Sequence, residues 1–159
     1  MGFALSKMQL SSDAFEQDGF MLARFTGEGD DVSPALSWTN PPPGTKSFAV
    51  ICHDPDAPLV GSRGTYGFVH WVLYNIPGEV SHLDEATELH TNGVTDYGKT
   101  RYNGPMPPNG HGIHHYYFWV LALDEMLALE PGLTMWQLLE KIEPHLLGMN
   151  RLMGRYKRE

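Results

Sequence analysis

The chain of 159 residues holds a single cysteine, Cys52, which excludes an internal disulfide and every multi-cysteine zinc arrangement. It has no apolar run of the about eighteen residues that a membrane-spanning helix needs. Met1 to Phe15 lacks the basic start and apolar stretch of a secretory leader. Charged residues are scarce, at 19% of the chain, and cationic ones scarcer still: eleven Lys and Arg against nineteen Asp and Glu leave a net charge of −8. General binding to nucleic acid or anionic membranes needs cations to displace counterions, so this balance argues against both. We expect a soluble, cytoplasmic protein with no nucleic-acid partner and no membrane insertion. The strong catalytic signatures are missing too. There is no Gly-x-Ser-x-Gly elbow, no phosphate loop ending in Gly-Lys-Ser/Thr and no His-Glu-x-x-His.

Hydrophobic residues make up 42% of the chain, enough for one core, and the length predicts a single domain spanning residues 1–159. Seventeen Gly and twelve Pro amount to about 18%, against about 12% on average, so turns are frequent. Eight histidines stand out, because seven of them lie between His53 and His115. The last nine residues carry Arg151, Arg155, Lys157 and Arg158 against Glu159, which reads as a solvated basic terminus.

Strand-like runs dominate. Phe3 to Leu10 alternates roughly, and Ser47 to Cys52 is a short apolar run ended by the turn residues Asp54-Pro55-Asp56-Ala57-Pro58. Tyr66 to Ile76 is aromatic and β-branched and closes at Pro77-Gly78. His114 to Leu123 is apolar on both faces from Tyr116 onward, the pattern of a central strand covered on both sides. One helix is clear: Thr134-Met135-Trp136-Gln137 has capping-box form, with Trp136, Leu139, Ile142 and Leu146 behind it near helical spacing. Pro144 should break it, and Asp124 to Leu129 reads as a further short helical turn. The order of elements predicts a mainly antiparallel β fold with α additions and a helical segment toward the C-terminus.

Successive strand residues point to opposite faces, so Cys52 and His53 cannot form a nucleophile–base pair, and Cys52 reads as a buried core residue. His111-Gly112-Ile113-His114-His115 invites a metal reading, but His114 and His115 diverge on a strand, so no metal and no cofactor is expected. The same alternation puts His114, Tyr116 and Phe118 on one face, two polar tips above an apolar ring. His70 opens another apolar strand, and Asp54 and Asp56 sit in a Pro-stiffened turn.

With Ser33-Pro34-Ala35-Leu36-Ser37-Trp38, Asp54 to Pro58, the His70 strand and the loop Gly104-Pro105-Met106-Pro107-Pro108-Asn109-Gly110-His111-Gly112 in this order, the chain resembles the phosphatidylethanolamine-binding protein family. That family includes the Raf kinase inhibitor proteins and small bacterial relatives, and the likeness is to the bacterial branch. The resemblance implies a large antiparallel sheet packed with a smaller one and a single pocket for phosphate, acetate or a phospholipid head group. Carried over by position, the pocket would use Asp54, Asp56, a cis Ala57–Pro58 bond, His70, Gly104, Pro107, Pro108, His114 and Tyr116. It also implies a binding protein that regulates a kinase or protease partner, not an enzyme, and a homodimer. Phe68 stands two residues before His70, where a Trp is common in the family.

A carboxylate about 5 Å from a phosphate charge costs roughly 3 kcal/mol at an effective dielectric near 20. An anion pocket built on Asp54 therefore needs compensation. The expectation is that Asp54 orients an imidazole, that protonated His70 and His114 supply positive charge, and that amides of Gly104, Gly110 and Gly112 approach the anion. His53 and His111 would form the rim, and His82, His90 and His115 would be ordinary. The rival reading is a hydrolase in which Asp54 or Asp56 acts as general base through His70 or His114. A protease-inhibiting module would instead use an exposed loop such as residues 59–65.

Overall fold

The computed structural model describes residues 5–62 and 64–159, without the side chains of residues 58–61 and 64–66. Strands β1 (Gln9–Ser11), β2 (Gly19–Phe20), β3 (Leu36–Thr39), β4 (Ser47–Gly61), β5 (Gly64–Pro77), β6 (His82–Leu83), β7 (Thr91–Asn92) and β8 (His114–Leu123) precede helix α1 (Met135–Ile142), and β9 (Leu146–Tyr156) follows it. They form a six-stranded sheet in the order β2-β9-β8-β4-β5-β7 and a three-stranded sheet in the order β1-β3-β6. Pairing is antiparallel throughout except for the two-residue contact of β2 with β9, which is parallel.

The alternation of β4 and β8 assigns their side chains to two cores. Phe48, Val50, Cys52, Tyr116, Phe118 and Val120 pack between the sheets with Trp38, Leu36 and Phe15. Ala49, Ile51, Leu121 and Leu123 face the other way, onto Leu138 and Ile142 of α1. Strand β8 thus lies inside the sheet with both faces covered, as its apolar pattern predicts. Cys52 is fully buried and separated from His53 by the sheet, and burial pushes its thiol well above the ordinary value.

Helix α1 begins where the capping box places it. The Gln137 amide donates to Thr134 Oγ1 at 3.1 Å, and the Thr134 amide donates to Gln137 Oε1 at 3.0 Å. It ends at Ile142, ahead of Pro144, and Leu146 belongs to β9 instead of continuing the helical stripe. Three expectations fail. No strand begins before Gln9 among the described residues, and Asp124 to Leu129 forms no helix. The Asp-Pro-Asp-Ala-Pro segment is no turn: β4 runs on through it, with its register against β5 shifted between Asp54 and Leu59. An irregular strand accommodates prolines that cannot donate to a regular ladder.

Candidate functional site

One structural detail aims His70. Cys52 faces Trp71 and His53 faces Val69 across β4 and β5, so His70 is an extra residue with no partner of its own. Such a bulge re-aims the side chain it carries. Val69 packs toward α1 and Trp71 between the sheets, while His70 enters a cavity of about 210 Å³. The cavity lies at the end of the inter-sheet core, where β4 delivers Asp54 two residues beyond Cys52 and β8 delivers His114 and Tyr116 four and two residues before Phe118.

Asp54 and His114 form a buried pair, each with its side chain only 2% exposed, Nδ1 lying 2.5 Å from Oδ2. The other carboxylate oxygen accepts the Asp56 amide at 2.7 Å, so both oxygens of Asp54 are engaged. Burial raises the Asp54 pKa, against the opposing pull of His114 and the Asp56 amide. On the far side of its ring, His114 Nε2 lies 2.7 Å from Nδ1 of the exposed His111. An oxyanion can therefore reach that nitrogen only by displacing His111. The loop that carries His111 is flanked by Gly110 and Gly112, both in the left-handed region at φ of 70° and 91°, which side chains with a Cβ disfavour.

His70 behaves differently from the expectation. Its Nδ1 lies 2.6 Å from the Asn103 carbonyl, and burial lowers its pKa to about 4, despite opposing contributions from the backbone of Asn103 and Gly104. It is thus neutral near pH 7, and the positive charge expected from it is absent. Its ring is edged by Tyr116 and Tyr97, with centroids at 5.2 and 5.8 Å, and tilted against Phe68 at 5.0 Å. The Tyr116 hydroxyl has no hydrogen-bond partner among the described residues, and burial followed by the Asp54 charge pushes its pKa up, leaving it a neutral O–H group.

The cavity lining brings together Asp54, His70, Pro107, Pro108, His114 and Tyr116 from the predicted set, with Ala57 beside them. Pro58 has no described side chain, and the expected cis Ala57–Pro58 bond is not among the bonds described. Asp56 is not in the lining: its Oδ2 accepts from the His115 amide at 2.8 Å and contacts His115 Nδ1 at 2.7 Å. Gly104 is not there either. Its amide donates to Asp31 Oδ1 at 2.6 Å, and the Gly110 amide donates to the Arg158 carbonyl at 3.1 Å, so neither is free for an anion. His53 turns away from the rim into an apolar groove with Trp119 and Met149. Of the loop expected at residues 59–65, residues 59–61 pair with residues 64–66 where β4 meets β5, and most of its side chains lie outside the described set. Phe68, Tyr97 and Met106 complete the lining. Sequence reasoning missed the last two, which come from irregular segments without periodicity.

The basic terminus is also more than solvated. Arg158 donates to the Pro107 carbonyl at 3.2 Å and pairs with Glu28 at 3.4 Å, while Arg151 lies over the rings of Tyr117 and Trp119. The chain end therefore props the Pro107–Pro108 wall. None of the described lining residues is Lys or Arg. Among the described residues, no group of three or more His, Cys, Asp and Glu side chains is placed to hold a metal ion.

The profile of the phosphatidylethanolamine-binding protein family matches residues 11–157. The chain belongs to that family. A UPF0098 protein of Methanothermobacter thermautotrophicus is 39% identical over 158 residues, covering 95% of this chain and 99% of the relative. Its counterpart in Aquifex aeolicus is 38% identical over 159 residues, covering 96% and 90%. Among solved structures, a putative phosphatidylethanolamine-binding protein homolog from Chlamydia trachomatis superposes with a TM-score of 0.86 at 36% identity, over 96% of this chain and 98% of that one. YbcL of E. coli, described as a member of the mammalian family, gives 0.87 at 28% identity over 97% and 100%. The match to the phosphatidylethanolamine-binding protein family takes in every strand that builds the cavity.

Proposed function

We propose that the cavity binds a small oxyanion, either phosphate or the phosphate of a head group, and that the chain is a binding protein and not an enzyme. The observation that carries this is the buried Asp54–His114 pair beside a Tyr116 hydroxyl with no hydrogen-bond partner among the described residues, in a cavity of about 210 Å³. Asp54 would repel an anion if it stood alone. With His114 protonated the pair is neutral, and the far nitrogen of its imidazolium becomes a charge-assisted donor once His111 moves aside. Tyr116 adds a second donor without adding charge. The absence of Lys and Arg from the described lining supports modest affinity and ready release. Regulation of a kinase or protease, homodimer formation and a cytoplasmic location extend this proposal on the strength of family membership.

The hydrolase reading keeps one favourable observation, the Asp54–His114 pair, which has the geometry of a base and its orienting group. Two observations weigh against it. Asp56 is spent on His115, and the described lining offers no Ser, Thr or Cys nucleophile. Calorimetric titration of inorganic phosphate at pH 6 tests the binding reading. The wild type should bind saturably, and Tyr116→Phe, which removes one donor, should weaken binding by roughly fivefold, the worth of about 1 kcal/mol. No saturable binding to the wild type overturns the proposal. Turnover of p-nitrophenyl phosphate that is lost in His114→Gln would instead establish the hydrolase.

A further inference from the structure

We infer that the cavity selects oxyanions that still carry a proton, namely inorganic phosphate and phosphomonoesters in their singly charged forms, over sulfate and phosphodiesters, because His70 faces the ligand as a hydrogen-bond acceptor. This rests on the oxyanion reading above and adds to it a choice among oxyanions.

The argument starts from the Asn103 carbonyl. A carbonyl oxygen only accepts, so the contact of 2.6 Å puts the His70 proton on Nδ1. A singly protonated imidazole then has a lone pair at Nε2. The ring has little freedom to exchange its two nitrogens. His70 is 3% exposed, packed by Phe68, Tyr97 and Tyr116, and its backbone carbonyl accepts from the Asn103 amide at 3.0 Å. The two residues are thus tied twice. Asn103 is itself buried, and its side-chain oxygen accepts from Thr95 at 3.2 Å. Burial opposes a second ring proton; among charged and titratable neighbours, Asp31 favours that proton and His53 disfavours it.

An oxyanion without protons would set one of its lone pairs against that of Nε2. A P–OH group would donate to it. The penalty for leaving a buried acceptor unpaired corresponds to roughly 5- to 150-fold in affinity. Phosphomonoesters lose their second proton near pH 6, so about half of such a ligand is still protonated there. Sulfate and phosphodiesters have no proton to give near neutral pH. The shared chemistry is therefore a P–OH monoanion, which free phosphate and a phosphatidic-acid head group both supply and a diester head group does not.

The test is competitive titration at pH 6 of wild type and His70→Gln with inorganic phosphate, sulfate, glycerol 3-phosphate and dimethyl phosphate. Dihexanoyl phosphatidic acid serves as the lipid arm. Affinities for the phosphate and monoester ligands are expressed per singly protonated species. Wild type should prefer phosphate and glycerol 3-phosphate to sulfate and dimethyl phosphate by at least fivefold. In His70→Gln, whose amide both donates and accepts, that ratio should fall to within about twofold of unity. A lipid arm stronger than glycerol 3-phosphate would point to the head-group source, and equality to the free ligand; both support the choice of a P–OH group. Phosphate and sulfate binding equally to wild type would overturn this inference and leave the oxyanion reading standing, whereas no binding by any ligand overturns both. Should the variant not fold, nitrogen-15 spectra of the wild-type phosphate complex decide. Only Nδ1 of His70 protonated supports the inference, and both nitrogens protonated refutes it.

Discussion

Keeping His70 neutral has a thermodynamic signature that can be measured without any ligand. In the unfolded chain its imidazole takes a proton at the ordinary value of 6.5, whereas burial holds the folded value at about 4. Between those values the unfolded state binds a proton that the folded state refuses, so stability rises with pH. The contribution is fully present above about pH 6.5 and is lost as the pH falls to about 4. At about 1.36 kcal/mol for each pH unit separating the two values, the whole effect is about 3 kcal/mol, of which about 2.5 is gone by pH 4.5. That is a large share of the roughly 5 to 15 kcal/mol that holds a domain together. The wild-type slope is a composite. His53 is also depressed by burial and acts in the same direction, while burial raises Asp54 and makes it act in the opposite one. Comparison with His70→Gln isolates the His70 share, because Gln can still donate to the Asn103 carbonyl. Urea unfolding followed by tryptophan fluorescence at pH 7, 5.5 and 4.5 should show the wild type losing about 2.5 kcal/mol more than the variant. Equal losses in the two proteins would refute the reasoning, and with it the neutral acceptor.

If the cavity binds an oxyanion as proposed, His111 competes with it for His114 Nε2, so His111→Ala should bind phosphate about two- to tenfold more tightly, the net worth of one hydrogen bond. Calorimetry that found weaker binding instead would make His111 part of the grip on the anion. Gly104 is required by close approach: a Cβ there would lie 2.1 Å from the Phe25 carbonyl oxygen. Gly104→Ala should therefore cost about 1 to 3 kcal/mol, lowering the Tm by roughly 2 to 12 °C. An unchanged melting curve would show that the Phe25 backbone yields freely.

What could be read from the sequence follows from how far each rule reaches along the chain. Two-residue alternation placed His114, Tyr116 and Phe118 on one face because β8 is regular over its whole length. The capping box located the start of α1 because both its partners lie within one turn. Local rules fail where geometry is set from outside. The bulge that turns His70 into the cavity exists only in the pairing of β5 with β4, and no residue type announces it. Asp54 and His114 are sixty residues apart, so family resemblance brought them together where spacing had no means to. Strand β9 was hidden because Gly148 and Gly154 interrupt its apolar alternation. Both glycines are needed where Pro42, Ser6, Phe15 and Met21 press on the strand. The glycines of the Gly104–Gly112 loop suggested free amides, yet two of those amides are taken by Asp31 and Arg158.

The band of histidines then separates by partner. His114 is paired with a buried carboxylate, so its protonation neutralises the site instead of charging it. His70 is paired with a carbonyl, so it stays neutral and can only accept. His115 is tied to Asp56, and His53 lies across the sheet. A cavity made this way offers an anion directed hydrogen bonds of both senses and little net charge. In a site whose described lining holds no Lys or Arg, affinity for an anion would depend on matching donors to acceptors, proton by proton. An unpaired buried acceptor costs about as much as one good hydrogen bond gains, so on the proposed reading the described cavity would discriminate by the protonation of its ligand more than by its charge.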